Sequence, residues 1–267
     1  MAVWETVKYI DGWPFSRLEL PHGDLHMSLR IAFDLDGVLA DMQSALRREA
    51  ETLFGPRPRG VEVRMPPEAE EDAPAEEAEA SASAESEPSV ERLQLTARQQ
   101  RRLWQHVGGV EGFWESLPEL EPGSVSRLAA LATDRRWEVI FLTQRPNTAG
   151  ATSQVQSQRW LERHGFSLPS VYVVARSRGR IADALDLDLV VDDRAENCLD
   201  VAVDSKSRAV LVWRDRTGPI PPNVTQLGIV VVDSVMQCLD TLAASPKTES
   251  RRTIFDRLKG LFSPDNG

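Results

Sequence analysis

The chain has 267 residues, 41% hydrophobic and 27% charged, ordinary for a soluble globular protein with room for one large α/β domain or two small ones. Its net charge of −10 is concentrated, because residues 66–90 hold nine acidic residues and no Lys or Arg, leaving −1 for the remainder. A nearly neutral body argues against binding to nucleic-acid polymers, no apolar run approaches the ~20 residues of a membrane span, and two cysteines support neither a disulfide framework nor a metal cluster.

Residues 1–27 form an N-terminal extension in which Gly12-Trp13-Pro14 and Pro21-His22-Gly23 break any regular element. It reads as a strap across the domain or as residues upstream of a true start at Met27. His22 and His26 have no acidic or cysteine partner at ligand spacing. Next comes Ile31-Ala32-Phe33-Asp34-Leu35-Asp36-Gly37-Val38-Leu39-Ala40-Asp41. The apolar opening predicts a buried strand of a parallel sheet. Asp34 and Asp36 then fall at the strand's carboxyl end, the edge where open α/β sheets bind ligands. Gly37 allows a turn and a close backbone approach to a ligand. Such a pair suits a carboxylate nucleophile beside a carboxylic acid that protonates a leaving group. On this stretch alone, an ordinary Asp-Gly turn with solvated acids explains the residues equally well.

A helix follows from Met42 to about Glu51 and stops at Gly55-Pro56. Residues 57–90, Pro-rich and then Ala/Glu/Ser-rich, cannot bury a core and read as a solvated linker, with a handle for a basic partner as the alternative. Thr96 to Val107 reads as a second helix, and Ser124 as the N-cap of a third running from Val125 to Arg135. From there strands and helices alternate. Strands are expected at 137–142, 171–174, 187–191, 209–213 and 229–232. Helices are expected at 148–164, closed by Gly165, and at 179–185, 195–203 and 234–243.

This alternation predicts an α/β fold: a Rossmann-like parallel sheet with helices on both faces. The core covers residues 28–41 and 136–244. Residues 42–135 interrupt it as a helical cap inserted after the first strand, and residues 245–267 form a linker and a basic amphipathic helix. Within that tail, residues 251–262 suit a partner, a membrane surface or a site on the chain's own domain. Cys198 and Cys238 read as reduced core residues of a cytoplasmic protein.

The strand ends collect the chemistry. The first gives Asp34 and Asp36, the second gives Thr143 followed by Gln144 and Arg145, and the fourth gives Asp192 and Asp193. Arg178 and Arg180 start the helix between them. Four carboxylates on one rim repel one another unless a cation sits among them, and hard oxygen donors suit Mg²⁺ shared with a substrate phosphate. Thr143 and an arginine would hold phosphate oxygens.

At these residues the sequence resembles the haloacid dehalogenase-like (HAD) phosphohydrolase superfamily. Asp34-Leu35-Asp36-Gly37-Val38, Thr143, a basic residue and Asp192-Asp193 match its four motifs in order. The resemblance implies that Asp34 becomes an aspartyl-phosphate, that Asp36 is the general acid/base and that Thr143 binds the phosphoryl group. It further implies that Asp192, Asp193, Asp34 and the Asp36 carbonyl hold Mg²⁺. Of the two basic candidates, Arg178 fits the spacing better than Arg180. Because dehalogenases lack the second acid, Asp36 implies a phosphatase. The insertion is similar to a type-one cap, and Phe113-Trp114-Glu115-Ser116-Leu117 with Val191-Asp192-Asp193-Arg194 resembles the 5′(3′)-deoxyribonucleotidase branch. In that branch cap aromatics stack on the base, which gives Phe113 and Trp114 a substrate-binding role; the alternative is a small core of the cap itself. Gln144, Arg145 and Gly37 complete the substrate-binding set. The expected substrate is a small phosphate monoester, foremost a nucleoside monophosphate, with sugar phosphates and phosphoglycolate as rivals. A phosphotransferase, a homodimer and a non-catalytic binding protein on the same fold stay open.

Overall fold

The computed structural model describes residues 28–55, 95–214 and 220–244. The N-terminal extension, the acidic tract and the basic tail lie outside these residues, as do His22 and His26. Six parallel strands form one sheet: β1 (Arg30–Asp34), β2 (Glu138–Thr143), β3 (Ser170–Val173), β4 (Leu189–Asp192), β5 (Arg208–Val212) and β6 (Val230–Val232), in the order β3-β2-β1-β4-β5-β6. The chain builds outward from β1 to one side through β2 and β3. It then returns to the other side of β1 for β4, β5 and β6, and this reversal places the switch point at β1. The expected α/β, Rossmann-like architecture is what the chain adopts.

Around the sheet lie α1 (Met42–Phe54), α2 (Ala97–Gly108), α3 (Ser124–Arg135), α4 (Ser153–Arg163), α5 (Arg178–Ala184), α6 (Ala195–Asp204), α7 (Pro222–Gln226) and α8 (Val235–Ala244). The strands alternate between two cores. Ile31, Phe33, Phe141, Leu189 and Val191 pack on one face with residues of α3, α4 and α8. Ala32, Leu142 and Val190 pack on the other with Ala182, Cys198, Val201 and Val224. Covering both faces is why the strands read as continuous apolar runs. Cys198 and Cys238 are buried and free, and burial pushes the Cys238 thiol up to about 12.

Three local expectations need correction. Helix α4 starts at Ser153 rather than 148, because the Thr152 hydroxyl accepts the Val155 amide at 3.3 Å and ends the preceding loop. Ser124 lies inside α3 and does not cap it. The Glu119 carboxylate does so, accepting the Gly123 and Val125 amides at 2.7 and 3.0 Å. Helix α7, one turn opened by Pro222, went unforeseen. Within the expected insertion, α1 and α2 pack on each other through Ala45, Leu46, Leu103 and Val107, while α3 packs on α8 in the layer beside the sheet.

Helix α5 carries Arg178 and is set by its contact with α6. A Cβ on Gly179 would stand 2.2 Å from the Asp200 carbonyl oxygen and 2.6 Å from the Asp204 Cβ. Gly179→Ala is therefore expected to push the helices apart and cost roughly 1–3 kcal/mol, the usual range for overpacking, seen as a lower urea midpoint. An unchanged midpoint would show that α5 has room to spare.

Candidate active site

Register places the strand ends together. Asp34 pairs with Leu142 across β1 and β2, one residue before Thr143, and Phe33 pairs with Val191 across β1 and β4, one residue before Asp192. Asp34 and Asp192 are both buried. Between them lies Arg178, itself 4% exposed, whose Nη2 donates to Asp34 Oδ1 at 2.9 Å and whose Nε stands 3.7 Å from Asp192 Oδ2. The remaining nitrogen, Nη1, is buried without a hydrogen-bond partner. A buried guanidinium N–H left unmatched is costly, and an anionic oxygen is the natural match. Arg180, two residues on, is exposed at the surface of α5.

Asp192 is further held by Asn197, whose Nδ2 lies 3.1 and 2.9 Å from the two carboxylate oxygens, and by the Arg194 amide at 2.9 Å. Asn197 escaped the sequence analysis; its position in the first turn of α6, directly after the strand end, was the available signal. Asp193 reaches back over the turn that follows β1. A Cβ on Gly37, whose φ is +84°, would lie 2.1 Å from Asp193 Oδ2. The Gly37 amide is occupied by the Ala40 carbonyl at 3.0 Å, so in this arrangement its part is to leave space for Asp193 rather than to bind substrate with its N–H.

Asp36 accepts the Thr143 hydroxyl at 3.1 Å and the Arg145 Nε and Nη2 at 2.8 and 2.7 Å. Arg145 was expected at the substrate, but its side chain is wholly buried and engaged with Asp36 and Ser157. Phe113 and Trp114 likewise do not offer their faces to a base. They are 2% and 0% exposed, meet edge to face at 4.9 Å, and belong to the same core as the sheet, which is where two adjacent aromatics bury the most area. Gln144 is half-buried next to Thr143 at the end of β2.

No family model matches the chain, and no curated protein matches it. Among solved structures it is similar to a hydrolase from Pseudomonas syringae, with 15% identity over 84% of this chain and 100% of that one, at a TM-score of 0.46. It is also similar to a HAD family hydrolase from Deinococcus radiodurans R1 with bound phosphate and sodium, with 14% identity over 81% and 95% of the two chains, at a TM-score of 0.45. A phosphonoacetaldehyde hydrolase-like protein from Oleispira antarctica gives 16% identity over 89% and 96%, at 0.43.

Electrostatics set the site's character. Burial pushes the Asp34 carboxyl well above the ordinary aspartate value of 3.8, and Asp192 adds to the rise while Arg178 opposes it. Asp192 is also raised, by burial first, against the pull of Arg178 and its hydrogen bonds. Asp34 and Asp192 share the single cation Arg178, while Asp36 is met by Arg145, and carboxylate oxygens crowded in this way suit a hard cation. Among the described residues no group of three or more His, Cys, Asp or Glu side chains stands ready-made to hold a metal ion; Arg178 occupies the middle of the pair instead.

Because folding raises the pKa of Asp34 and Asp192, the folded state binds protons that the unfolded state has released. Stability is therefore fully present below the unfolded values and is lost as pH rises through the raised ones. Asp34→Asn removes this penalty and leaves Arg178 its Asp192 partner. The variant should melt higher than the parent at neutral pH without divalent ions, by ~2 °C or more given that 1 kcal/mol is roughly 2–4 °C at this size, and its melting temperature should vary less with pH. A lower melting temperature at every pH would mean that the Arg178 pair outweighs burial.

Proposed function

We propose that the chain is a phosphomonoesterase of small phosphate esters that works through an aspartyl-phosphate on Asp34. The observation that carries this reading is Arg178: a buried guanidinium bound to the Asp34 carboxylate, beside Asp192, with one buried N–H still unmatched. A phosphoryl oxygen at that nitrogen would bring phosphorus to Asp34, and Asp36 lies within electrostatic reach on the same turn. In the first step an Asp34 carboxylate oxygen bonds to phosphorus, the ester P–O bond breaks, and the leaving oxygen takes a proton from Asp36. In the second, water gives a proton to Asp36 as its oxygen bonds to phosphorus. The P–O bond to Asp34 then breaks, returning the carboxylate and releasing inorganic phosphate. Arg178 holds the phosphoryl oxygens while charge shifts among them, and Thr143 would join it by turning its hydroxyl from Asp36 to the phosphoryl group.

In this reading Asp34, Asp192, Asp193 and the Asp36 carbonyl supply the hard oxygen donors that would hold Mg²⁺ once they draw together and Arg178 turns to substrate. The ion would supply positive charge for phosphoryl transfer. Within this reading α1 and α2 are the described part of the cap. The nucleoside monophosphates expected from the sequence rested on Phe113 and Trp114, and burial of those rings puts sugar phosphates and phosphoglycolate on an equal footing with them.

Phosphate release from nucleoside monophosphates, sugar phosphates and phosphoglycolate, each with Mg²⁺ and with EDTA, tests both halves of the proposal. Release is expected only with the metal, and Asp34→Asn should lower kcat by at least about 1,000-fold, as loss of a nucleophile does. Release that survives either EDTA or Asp34→Asn would sink the assignment.

A further inference from the structure

Arg145 is a fully buried cation whose charge is directed at Asp36. Its side chain is 0% exposed, whereas that of Asp36 is 9% exposed, so the pair meets solvent only through the carboxylate. Nε and Nη2 grip the two oxygens of Asp36 at 2.8 and 2.7 Å as a fork, the geometry that fixes a carboxylate in plane as well as in position. Nη1 donates to Ser157 Oγ at 2.8 Å, and that hydroxyl in turn donates to the Ser153 carbonyl at 2.6 Å. The guanidinium carbon lies 4.8 Å from the centroid of the Trp114 ring.

Trp114 is itself pinned. Its indole N–H donates to the Pro146 carbonyl at 3.0 Å, and its amide donates to Gln156 Oε1 at 3.1 Å. Gln156 is fully buried and ties the loop before α4 through Thr148 Oγ1 and the Ala151 carbonyl, at 2.9 and 2.6 Å. A guanidinium is expensive to bury. A chain that needed only volume here would fill it with an apolar side chain. This one instead assembles a ring face, a hydroxyl and a knotted loop around a cation whose charged partner among the described residues is Asp36.

We propose that Arg145 is a positioning residue: seated on Trp114 and Ser157, its fork sets the place and plane of the Asp36 carboxylate. The inference rests on the reading of Asp36 as acid/base, and it assigns to Trp114 a role in supporting that acid rather than in meeting substrate. Arg145 acts only through Asp36 and touches no reacting atom. Removing the fork therefore harms the step in which Asp36 moves a proton.

The test uses Arg145→Lys and Arg145→Gln, alone and combined with Asp36→Asn, on an alkyl phosphate and on an aryl phosphate whose leaving group needs no proton. Each single Arg145 variant should lose roughly 10- to 100-fold in kcat/KM on the alkyl ester, the scale of a misplaced catalytic group, and clearly less on the aryl ester. The reason is that kcat/KM reports formation of the aspartyl-phosphate and leaves out the later water step, in which Asp36 serves both esters alike. Adding either variant to Asp36→Asn should cost nothing further, since residues that act as a unit are not additive. Arg145→Lys retains the charge and guards against misfolding in Arg145→Gln; full activity in the lysine variant would overturn the fork. Equal losses on both esters, or losses that add to those of Asp36→Asn, would make the pair merely structural. If Asp34→Asn leaves hydrolysis by the parent untouched, the phosphatase reading itself fails. If only the Arg145 pattern fails, that reading stands without this inference.

Discussion

The structure turns on a crowding of carboxylates at the end of its central strand. Asp34 and Asp192 are buried, and Asp36 and Asp193 are close enough to raise the Asp34 pKa further. A buried carboxylate survives only when paired or protonated, and the fold answers with two buried arginines from different directions. Arg178 comes from α5 on one face of the sheet, and Arg145 from the loop that leaves β2. Each takes one acid of the Asp34–Asp36 pair. The two acids of one short motif are therefore held by separate parts of the molecule, although each still feels the other's charge.

Bringing these groups so close demands missing atoms. Helix α5 lies against α6 only because Gly179 has no Cβ, and that contact presents Arg178 to Asp34. Asp193 lies over the turn after β1 only because Gly37 leaves it room at a φ of +84°. Both glycines therefore serve electrostatics as well as backbone geometry. One lets a cation approach the acids, and the other lets a further acid join them.

The fold was legible in the sequence wherever the signal was local. The alternation of Val/Ile runs with amphipathic helices follows from covering both faces of a parallel sheet, and acids at strand ends follow from where the strands stop. What failed to show was the direction in which side chains turn. Arg145 lies two residues from Thr143, and the pattern gives no hint that it folds back 109 positions in sequence to Asp36 instead of facing a ligand. Phe113 and Trp114 look the same in sequence whether they stack on a base or on a core; only the packing of α4 against the 3-10 turn Phe113–Glu115 decides it. Capping by Glu119 was hidden for a similar reason, since Ser124 is the better local cap by type and the glutamate reaches the Gly123 and Val125 amides from outside the helix.

The turn from Leu35 to Ala40 must also be held, because it carries Asp36 and meets Asp193. It satisfies part of itself, with the Leu39 and Ala40 amides on the Leu35 carbonyl at 2.9 and 2.7 Å. The Gly37 and Val38 carbonyls are left over, and a turn that close to buried acids has little water to offer them. Arg214, at the end of β5, donates to both, and its Nε reaches Glu121 at 3.1 Å. Glu121 in turn accepts the Val235 and Met236 amides at 2.9 Å each, in the first turn of α8, where a negative charge is favoured. One ion pair therefore closes two accounts of unmet backbone groups, the carbonyls of the turn after β1 and the amides of a helix start. It also ties the turn after β1 to elements on the far side of the sheet order. The turn's position is set from both flanks, by Arg145 through the Asp36 side chain and by Arg214 through the backbone, which leaves the loop little freedom to carry Asp36 away from Asp34.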